Sequence, residues 1–366
     1  MNKKKTVFLV TSLDSGGVEN YLLRFLKYYH LDIDAYVICK SGRKGNDLLT
    51  EFLGIGVKIV PLRLQYFNFS GYLRLYKLIK KENFESICDF TGNFAALPML
   101  VAKLAGIRNR VVFYRGSTNH FKEDRFRLLY NKLLNYIIPK VSTSILANSK
   151  AALNFFFKNK WHQNSKYEVI YNGIDASKFL TTKENLKEEL NIPDNAFVVG
   201  HVGRYNEAKN HKTIIEVAIQ LCKLDSNNYF VFCGKDTDIR LKERVTFEGF
   251  EKQIKLLGLR NDVVKVLNTL DCFYFPSLSE GQPNALIEAL VAGLPFVASN
   301  IEPHKETIPK SHQNQLIDPL NIVEAKNKIL EIKNNKTFSQ SLILKEWAIE
   351  KYNAAILFEK FKEKLD

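Results

Sequence analysis

The chain has 366 residues, five cysteines and a formal net charge of +14 at pH 7. Its length is sufficient for two domains with separate cores. No segment reaches the ~20 apolar residues of a membrane-spanning helix. The odd number and wide spacing of the cysteines indicate reduced core residues, not disulfides or a metal site. The basic start precedes a short apolar run without a cleavage site, which predicts a first strand and a cytoplasmic protein.

Predicted strands alternate with predicted helices along the chain. The first unit contains a strand at Val7–Val10, a flexible loop at Gly16 and Gly17, and a helix over Val18–Tyr29. Further strands are predicted at residues 35–39, 57–61, 86–89, 111–114, 144–147, 168–171, 198–202, 229–233, 272–275 and 296–298. This alternation predicts an α/β protein with parallel, doubly wound sheets.

The positive charge is concentrated in the first half. Residues 1–165 contain 26 Lys and Arg against 11 Asp and Glu, a net charge of +15, which leaves 27 basic and 28 acidic residues in the remainder. Residues 121–140 and 155–161 combine basic with aromatic and aliphatic side chains, a pattern typical of contact with an anionic membrane surface. The alternative is that both segments are ordinary helices packed on a sheet. No nucleic-acid-binding signature accompanies the charge.

A glycine followed by two cations comes after the predicted strand at residues 198–202. Gly203 permits a close turn of the backbone. Arg204 provides a planar fork of donors and Lys209 a point charge, and both side chains are used against phosphates. The alternative is a pair of solvated basic residues in a loop.

The segment from Phe275 to Ser299 predicts a strand, a loop, a helix and a second strand. We expect Asn284 to cap the helix and Gly293 to end it. Amides at the helix start favour an anion such as a diphosphate. Glu280 in the loop is suited to sugar hydroxyls and Glu288 in the helix to a ribose, as acidic residues are in dinucleotide sites. The alternative is a surface glutamate beside a glutamate on a helix face.

This segment resembles the signature of the retaining GT-B glycosyltransferases of family four. The resemblance rests on two glutamates eight positions apart within a frame of small residues and prolines. The matching positions are Pro276, Ser277, Glu280, Gly281, Glu288, Ala289, Gly293 and Pro295. It implies two Rossmann-like doubly wound domains facing a cleft, with a C-terminal helix crossing back to the first domain.

The family order of elements implies three ranges. These are an acceptor-binding domain over residues 1–167, a nucleotide-sugar-binding domain over residues 168–343, and a C-terminal helix over residues 344–366. The Asn172–Asp175 segment resembles the family's linker between the domains. The run from Leu344 to Leu365 is amphipathic with helical spacing, in agreement with the last range.

The resemblance also assigns roles to individual residues. It implies that Arg204, Lys209 and Glu280 carry the catalytic work. The implied donor-binding residues are Gly16, Gly17, Gly203, Arg260, Gly281, Gln282, Pro283, Asn284, Ala285 and Glu288. Family members place a histidine after a strand of the first domain; here Arg110–Tyr114 is followed by a different sequence, in which Arg115, Ser117 and His120 are the acceptor-side candidates. No metal site is implied.

The implied activity is retaining, metal-independent sugar transfer without a cofactor. The donor is a nucleotide diphosphate sugar, with a UDP-sugar favoured. The acceptor is a glycan or polyprenyl-linked glycan of bacterial capsule, O-antigen or exopolysaccharide synthesis, met at the inner face of the cytoplasmic membrane; nucleic acid is not a partner. Two alternatives stay open: a nucleotide-sugar epimerase, which would need no acceptor, and a noncatalytic binding protein, which would lack the paired cations or glutamates.

Overall fold

The structure is a computed structural model that describes residues 3–14, 16–65, 68–117, 125–335 and 338–366. The chain forms two compact units. Unit 1 comprises Met1–Gly173 and Ala355–Asp366, and unit 2 comprises Ile174–Ala354. Each unit contains its own sheet and its own hydrophobic core.

Unit 1 is built on a seven-stranded parallel sheet. Its strands are β1 (Lys4–Val10), β2 (Ile33–Cys39), β3 (Lys58–Pro61), β4 (Ser86–Asp89), β5 (Asn109–Tyr114), β6 (Ser144–Ala147) and β7 (Tyr167–Val169). The strand order is β3-β2-β1-β4-β5-β6-β7. This is the doubly wound order of dinucleotide-binding folds, with β7 added at one edge.

Within the described residues, six α-helices lie between these strands. They are α1 (Gly17–Tyr29), α2 (Leu49–Gly54), α3 (Phe69–Glu82), α4 (Ala96–Ala105), α5 (Arg125–Val141) and α6 (Lys150–Phe157). The central strands are almost continuously apolar, as strands covered on both faces must be. The strand β1 lies inside the sheet, between β2 and β4, and its five residues from Thr6 to Val10 are buried.

Unit 2 repeats the arrangement with six parallel strands. They are β8 (Phe197–Val202), β9 (Asn228–Cys233), β10 (Ile254–Leu256), β11 (Cys272–Phe275), β12 (Phe296–Ser299) and β13 (Leu316–Ile317), in the order β10-β9-β8-β11-β12-β13. The helices are α7 (Ser177–Thr181), α8 (His211–Leu224), α9 (Thr237–Arg240), α10 (Lys242–Glu248), α11 (Val263–Asn268), α12 (Asn284–Ala292), α13 (Glu302–Thr307), α14 (Ile322–Asn334) and α15 (Phe338–Lys351).

The prediction of parallel, doubly wound sheets is confirmed in both units. The predicted strands at residues 86–89, 144–147 and 272–275 have the observed bounds. The strands β10 and β13 were missed, because three and two residues are too few to produce a periodic pattern.

The unit boundaries differ from the predicted ranges at both ends of unit 2. The strand β7 pairs with β6 and so belongs to unit 1, which moves the boundary to Gly173. The run predicted as one last helix is two helices, α15 and α16 (Ala354–Glu363). The hydroxyl of Tyr352, between them, donates to the Thr307 carbonyl at 2.5 Å and holds the end of α15 in unit 2. The acceptor and donor roles of the units stay predictions.

The helix α16 belongs to unit 1 although it comes from the far end of the chain. Its Phe361 ring lies 4.6 Å from the Phe25 ring, and its Phe358 ring lies 5.6 Å from the Tyr21 ring. Both partners are on α1, so α16 completes the apolar layer on that side of the sheet. All five cysteines are buried and free. Among the described residues, the helices are too short or too polar to cross a bilayer.

Candidate functional site

The candidate site in unit 2 lies where two neighbouring strands end. The strands β8 and β11 pair in parallel, so the loops that follow them leave the same edge of the sheet. The Leu278 amide donates to the Ala208 carbonyl at 2.7 Å, and the Asn210 side chain donates to the Pro276 carbonyl at 3.2 Å. These bonds join the two loops that carry the predicted cations and the first predicted glutamate.

The central contact is an ion pair between Lys209 and Glu280. The Lys209 ammonium lies 2.6 Å from Oε1 of Glu280, and the two side chains are only 18% and 12% exposed. The ammonium also lies 4.5 Å from the centre of the Phe275 ring, a cation–π contact. An ammonium has three N–H donors and a carboxylate two oxygens. Each partner of the pair therefore holds the other in place, and the Lys209 ammonium has more donors than this one contact uses.

The backbone around Gly203 is packed against the end of β9. A Cβ added at Gly234 would lie 2.2 Å from the Gly203 carbonyl oxygen, so only glycine fits there. The next residue, Arg204, is exposed and makes no hydrogen bond or ion pair with any residue that the structure describes. Its guanidinium is therefore available to a ligand at the strand edge. The importance of Gly234 was not predicted, since a glycine after a strand reads as an ordinary turn.

The helix α12 supplies the second glutamate. Its N-cap residue is Pro283, which has no capping side chain, and the left-handed Gly293 ends it. The expectation that Asn284 caps the helix is wrong, because Asn284 is already the first helical residue. Glu288 is half-buried in the second turn, and Gln282 is buried in the preceding loop with Gly281 and Ala285 beside it half-buried. A nine-residue helix with an uncapped first turn favours an anion at its start.

Arg260 is engaged by two carboxylates within unit 2. Its guanidinium contacts Asp262 through Nε and Nη2, each at 2.7 Å, and Glu189 through Nη1 at 2.7 Å. The bonds to Asp262, followed by those to Glu189, raise the pKa of the arginine above its usual value. The side chain thus fixes the loop after β10. A donor-binding role for Arg260 stays a prediction, and the structure gives this residue a supporting place in the loop.

In unit 1, Gly16 and Gly17 lie where β1 gives way to α1. Gly16 is the N-cap residue, and a Cβ on it would lie 2.5 Å from Oε2 of Glu19. The carboxylate thus covers the helix start, the place that the dipole favours for an acidic side chain. The structure puts both glycines at the carboxyl edge of the unit 1 sheet; contact with a donor stays a prediction.

Arg115 follows β5 at the same edge and lies against aromatic rings. Its guanidinium carbon is 3.9 Å from the centre of the Tyr21 ring and 4.9 Å from that of Phe113. Its Nε and Nη1 atoms are buried without a hydrogen-bond partner among the described residues. Burial lowers the pKa of Arg115 to about 10. Ser117 is half-buried nearby in sequence, and His120 lies outside the described residues.

Comparison with known proteins identifies the family. Residues 15–178 match the model "Glycosyltransferase Family 4" and residues 182–347 match "Glycosyl transferases group 1". The capsular polysaccharide biosynthesis glycosyltransferase CapH of Staphylococcus aureus is 30% identical over 307 residues, which cover 82% of this chain and 83% of that protein. The chain belongs to the family 4 glycosyltransferases.

Other relatives extend this result. An Escherichia coli enzyme named UDP-Gal:alpha-D-GlcNAc-diphosphoundecaprenol alpha-1,3-galactosyltransferase is 28% identical over 321 residues, which cover 84% of this chain and 81% of the relative. The crystal structure of Anabaena HepE in complex with UDP and glucose matches with a TM-score of 0.81 at 21% identity, over 99% of both chains. The fold of this family 4 glycosyltransferase is therefore GT-B, as the resemblance implied.

Three buried histidines lie around the ion pair of the glycosyltransferase, and no role was predicted for any of them. The His201 ring lies 5.0 Å from the His211 ring and 5.4 Å from the Phe275 ring, and His304 lies 5.5 Å from Phe275 on another side. Burial lowers the pKa of His211 and of His304 to about 4. The available signal was the position of His201 within an apolar strand, which indicates burial but not a site.

No cluster of three or more potential metal ligands occurs in the described part of the enzyme. The positive charge at the unit 2 site comes from Arg204 and Lys209. The assignment of individual residues to donor, acceptor and catalysis stays a set of predictions, which the geometry brings together in unit 2 and leaves dispersed in unit 1.

Proposed function

We propose that this enzyme transfers a sugar from a UDP-sugar, with retention of configuration and without a metal ion, to a polyprenyl-linked glycan in the synthesis of a bacterial surface polysaccharide. The observation that carries the proposal is the half-buried Lys209–Glu280 pair beside the exposed Arg204, at the start of an uncapped helix. Cations, backbone amides and a carboxylate are the groups that a diphosphate and a sugar require.

Each part of the donor is bound by the group whose chemistry suits it. Arg204 and Lys209 bind the diphosphate oxygens, with the first amides of α12 beside them. Glu280 accepts hydrogen bonds from hydroxyls of the transferred sugar, and Glu288 accepts them from the ribose. Because Lys209 is already fixed by Glu280 at 2.6 Å, the diphosphate meets a charge that loses little side-chain entropy on binding.

The proposed reaction is a front-face displacement. The acceptor hydroxyl attacks the anomeric carbon on the side from which the diphosphate leaves. The bond from that carbon to the phosphate oxygen breaks as the glycosidic bond forms, and the hydroxyl proton passes to the departing phosphate. Arg204, Lys209 and the helix amides stabilise the negative charge that grows on the leaving group. In this scheme the two cations do the work that a metal ion would otherwise do.

The names of two matched proteins support the choice of donor and acceptor. The E. coli relative is named for UDP-galactose and a diphosphoundecaprenol acceptor, and the HepE structure contains UDP and glucose. On the acceptor side we propose that Arg115 contacts an anionic group, because two of its buried N–H groups have no partner among the described residues. Ser117 and His120 stay candidates there.

Membrane contact is proposed for the outer faces of α4 and α5. On α4, Leu100 and Leu104 are 36% and 69% exposed, and on α5 three side chains are more than half exposed: Leu129, Leu133 and Tyr136. Neither helix contains an acidic residue. We call this set, with the exposed Lys103, Lys132 and Lys140, the basic helical surface. Anionic lipid complements its charge, and the leucines reach the acyl boundary.

The test of the function is a transfer assay with UDP-, GDP- and ADP-sugars, with and without bacterial membrane lipid extract. We expect transfer from a UDP-sugar to a lipid-extractable product, undiminished by EDTA, whose new linkage has the anomeric configuration of the donor by NMR. Isomerised free sugar without acceptor consumption would indicate an epimerase. Absence of transfer from every donor, together with Glu288→Ala leaving UDP affinity unchanged, would contradict the proposal.

A further inference from the structure

The loop that carries Glu280 is held from beneath by a short chain of buried polar groups. The first of these contacts is the hydrogen bond from the Ser299 hydroxyl, at the end of β12, to the Ser277 carbonyl, at 2.5 Å. Nδ1 of His304, on α13, lies 2.9 Å from the Ser299 carbonyl and 3.0 Å from its hydroxyl. All three residues are 0% exposed.

The contacts determine the tautomer of His304. A carbonyl oxygen only accepts hydrogen bonds, so the Ser299 hydroxyl donates to the Ser277 carbonyl. For the same reason Nδ1 of His304 carries a proton, which it donates to the carbonyl and hydroxyl oxygens of Ser299. Nε2 is then unprotonated, and it is buried without a hydrogen-bond partner among the described residues. Burial lowers the pKa of this histidine to about 4, which keeps the ring neutral at physiological pH.

The chain leads directly to the sugar-binding carboxylate. Ser277 is three residues before Glu280 in the same loop, and the His304 ring lies 5.5 Å from Phe275, over which Lys209 is placed. The charge of Glu280 opposes the fall in the pKa of His304, so the carboxylate and the imidazole are within electrostatic range. The Ser299 hydroxyl is a direct polar link between β12 and this loop.

We infer that His304 is a positioning residue for donor recognition, which acts through Ser299 on the Ser277 carbonyl and so fixes Glu280 for the transferred sugar. The inference rests on the proposed donor site and adds to it a dependence on one nitrogen of one imidazole. Nδ1 has the essential contacts. Nε2 does not contribute.

Two amide substitutions separate the two ring nitrogens. In His304→Asn the side-chain amide occupies the position of Nδ1 and can donate to Ser299, whereas in His304→Gln it reaches the position of Nε2. Ser299→Ala removes the hydroxyl itself while it leaves the histidine in place. It serves as the principal variant if substitution of His304 prevents folding. Thr307→Ala, a buried hydroxyl on α13 that donates to the Pro303 carbonyl, is the matched control.

The measurement is the affinity for UDP-sugar and for UDP by titration calorimetry, with thermal unfolding of each variant. We expect Ser299→Ala and His304→Gln to weaken UDP-sugar binding about three- to tenfold, with UDP affinity unchanged and kcat at saturating donor retained. His304→Asn and Thr307→Ala should match the parent enzyme in the ratio of the two affinities.

Three results would overturn the inference. One is full UDP-sugar affinity in Ser299→Ala. Another is rescue by Gln and not by Asn, which would assign the effect to Nε2. The third is an equal loss of UDP and UDP-sugar affinity in proportion to lost stability, which is the behaviour of a residue that only supports the fold. Failure of the parent enzyme to bind any nucleotide sugar would instead contradict the proposed function.

Discussion

The two units share the doubly wound strand order but differ in the polar contacts made by the candidate site residues at their strand ends. Both place β-strands in the doubly wound sequence around a central strand, β1 in unit 1 and β8 in unit 2. In unit 2, the loops at the strand ends are joined by the Lys209–Glu280 pair and by bonds between neighbouring loops. In unit 1, a Lys40–Asp89 pair joins the ends of β2 and β4 at 2.9 Å, but the candidate Arg115 is stacked on aromatic rings and has no such partner among the described residues. The comparison indicates that the sheet is shared, whereas the ligand chemistry depends on the loops and outer helices.

The largest expected difference is in acid stability. Burial lowers the pKa of His211 and His304 to about 4, against about 6.5 in an unfolded chain. Between these values the unfolded state binds more protons, so stability falls as pH falls through this window. At pH 5 each histidine should reduce the free energy of unfolding by about 2 kcal/mol relative to pH 7.

The two tryptophans allow each unit to be followed separately. Trp161 is in unit 1 and Trp347 in unit 2. Trp161→Phe leaves Trp347, so its fluorescence reports unit 2, whereas Trp347→Phe leaves Trp161, which reports unit 1. Between pH 7 and pH 5, the urea midpoint of Trp161→Phe should fall more than that of Trp347→Phe. His30→Asn, an exposed site in unit 1, is the control. Equal shifts in both units would mean that the acid sensitivity does not come from the unit 2 histidines.

The second prediction concerns the ion pair. Lys209→Met removes a cation from the leaving group and leaves Glu280 without its partner, so kcat/KM should fall about 10²- to 10³-fold. Glu280→Gln should lower the affinity for UDP-sugar more than that for UDP. Lys212→Met and Glu207→Gln alter exposed neighbours in the same stretch of unit 2, and steady-state kinetics should show them unchanged. A parent-like Lys209→Met would break the assignment of donor chemistry to unit 2.

The third prediction tests the basic helical surface of unit 1. Replacement of Lys103, Lys132 and Lys140 by Gln should weaken binding to vesicles with anionic lipid about 100-fold at low salt, at about 1 kcal/mol for each cation. The full chain is required for this cosedimentation assay, because α16 belongs to unit 1. Replacement of Lys242, Lys252 and Lys310, all exposed in unit 2, makes the same change in charge. Equal effects would show that net charge, not the surface, controls binding.

The smallest effect is expected for Arg115. Arg115→Met should raise the KM for the lipid acceptor about tenfold, the value of one charge-assisted hydrogen bond, and leave the KM for the donor unchanged. Arg115→Lys should recover part of the loss, since it restores the charge without the planar fork. Arg108→Met alters an exposed arginine before β5 and is the control. A rise in the donor KM alone would move Arg115 to the donor side.

The sequence predicted unit 2 better than unit 1, for physical reasons. Lys209 and Glu280 are 71 residues apart, yet each follows a strand, and adjacent parallel strands bring such loops to one edge. The burial of His201, His211 and His304 beside the ion pair was not predictable, because it depends on contacts across several elements. In unit 1, no motif followed the strand at Arg110–Tyr114, and the contact of Arg115 with Tyr21 is a packing result that spacing does not encode.

The same limit explains the errors at the boundaries. The amphipathic run at the end of the chain predicted one helix, but the buried hydroxyl contact of Tyr352 with the Thr307 carbonyl divides it. Asn284 has the residue type of a cap, yet the chain enters α12 at Pro283. In both places a tertiary contact or the path of the backbone prevailed over a local preference.

Hydrogen exchange of the full enzyme with and without saturating UDP tests the central claim most directly. We expect UDP to slow exchange in two segments of unit 2, residues 203–211 and 280–288, because the diphosphate and ribose bind there. We also expect Lys209→Met to reduce that protection at equal UDP concentration. Protection by UDP that is confined to unit 1, with both unit 2 segments unchanged, would contradict the account.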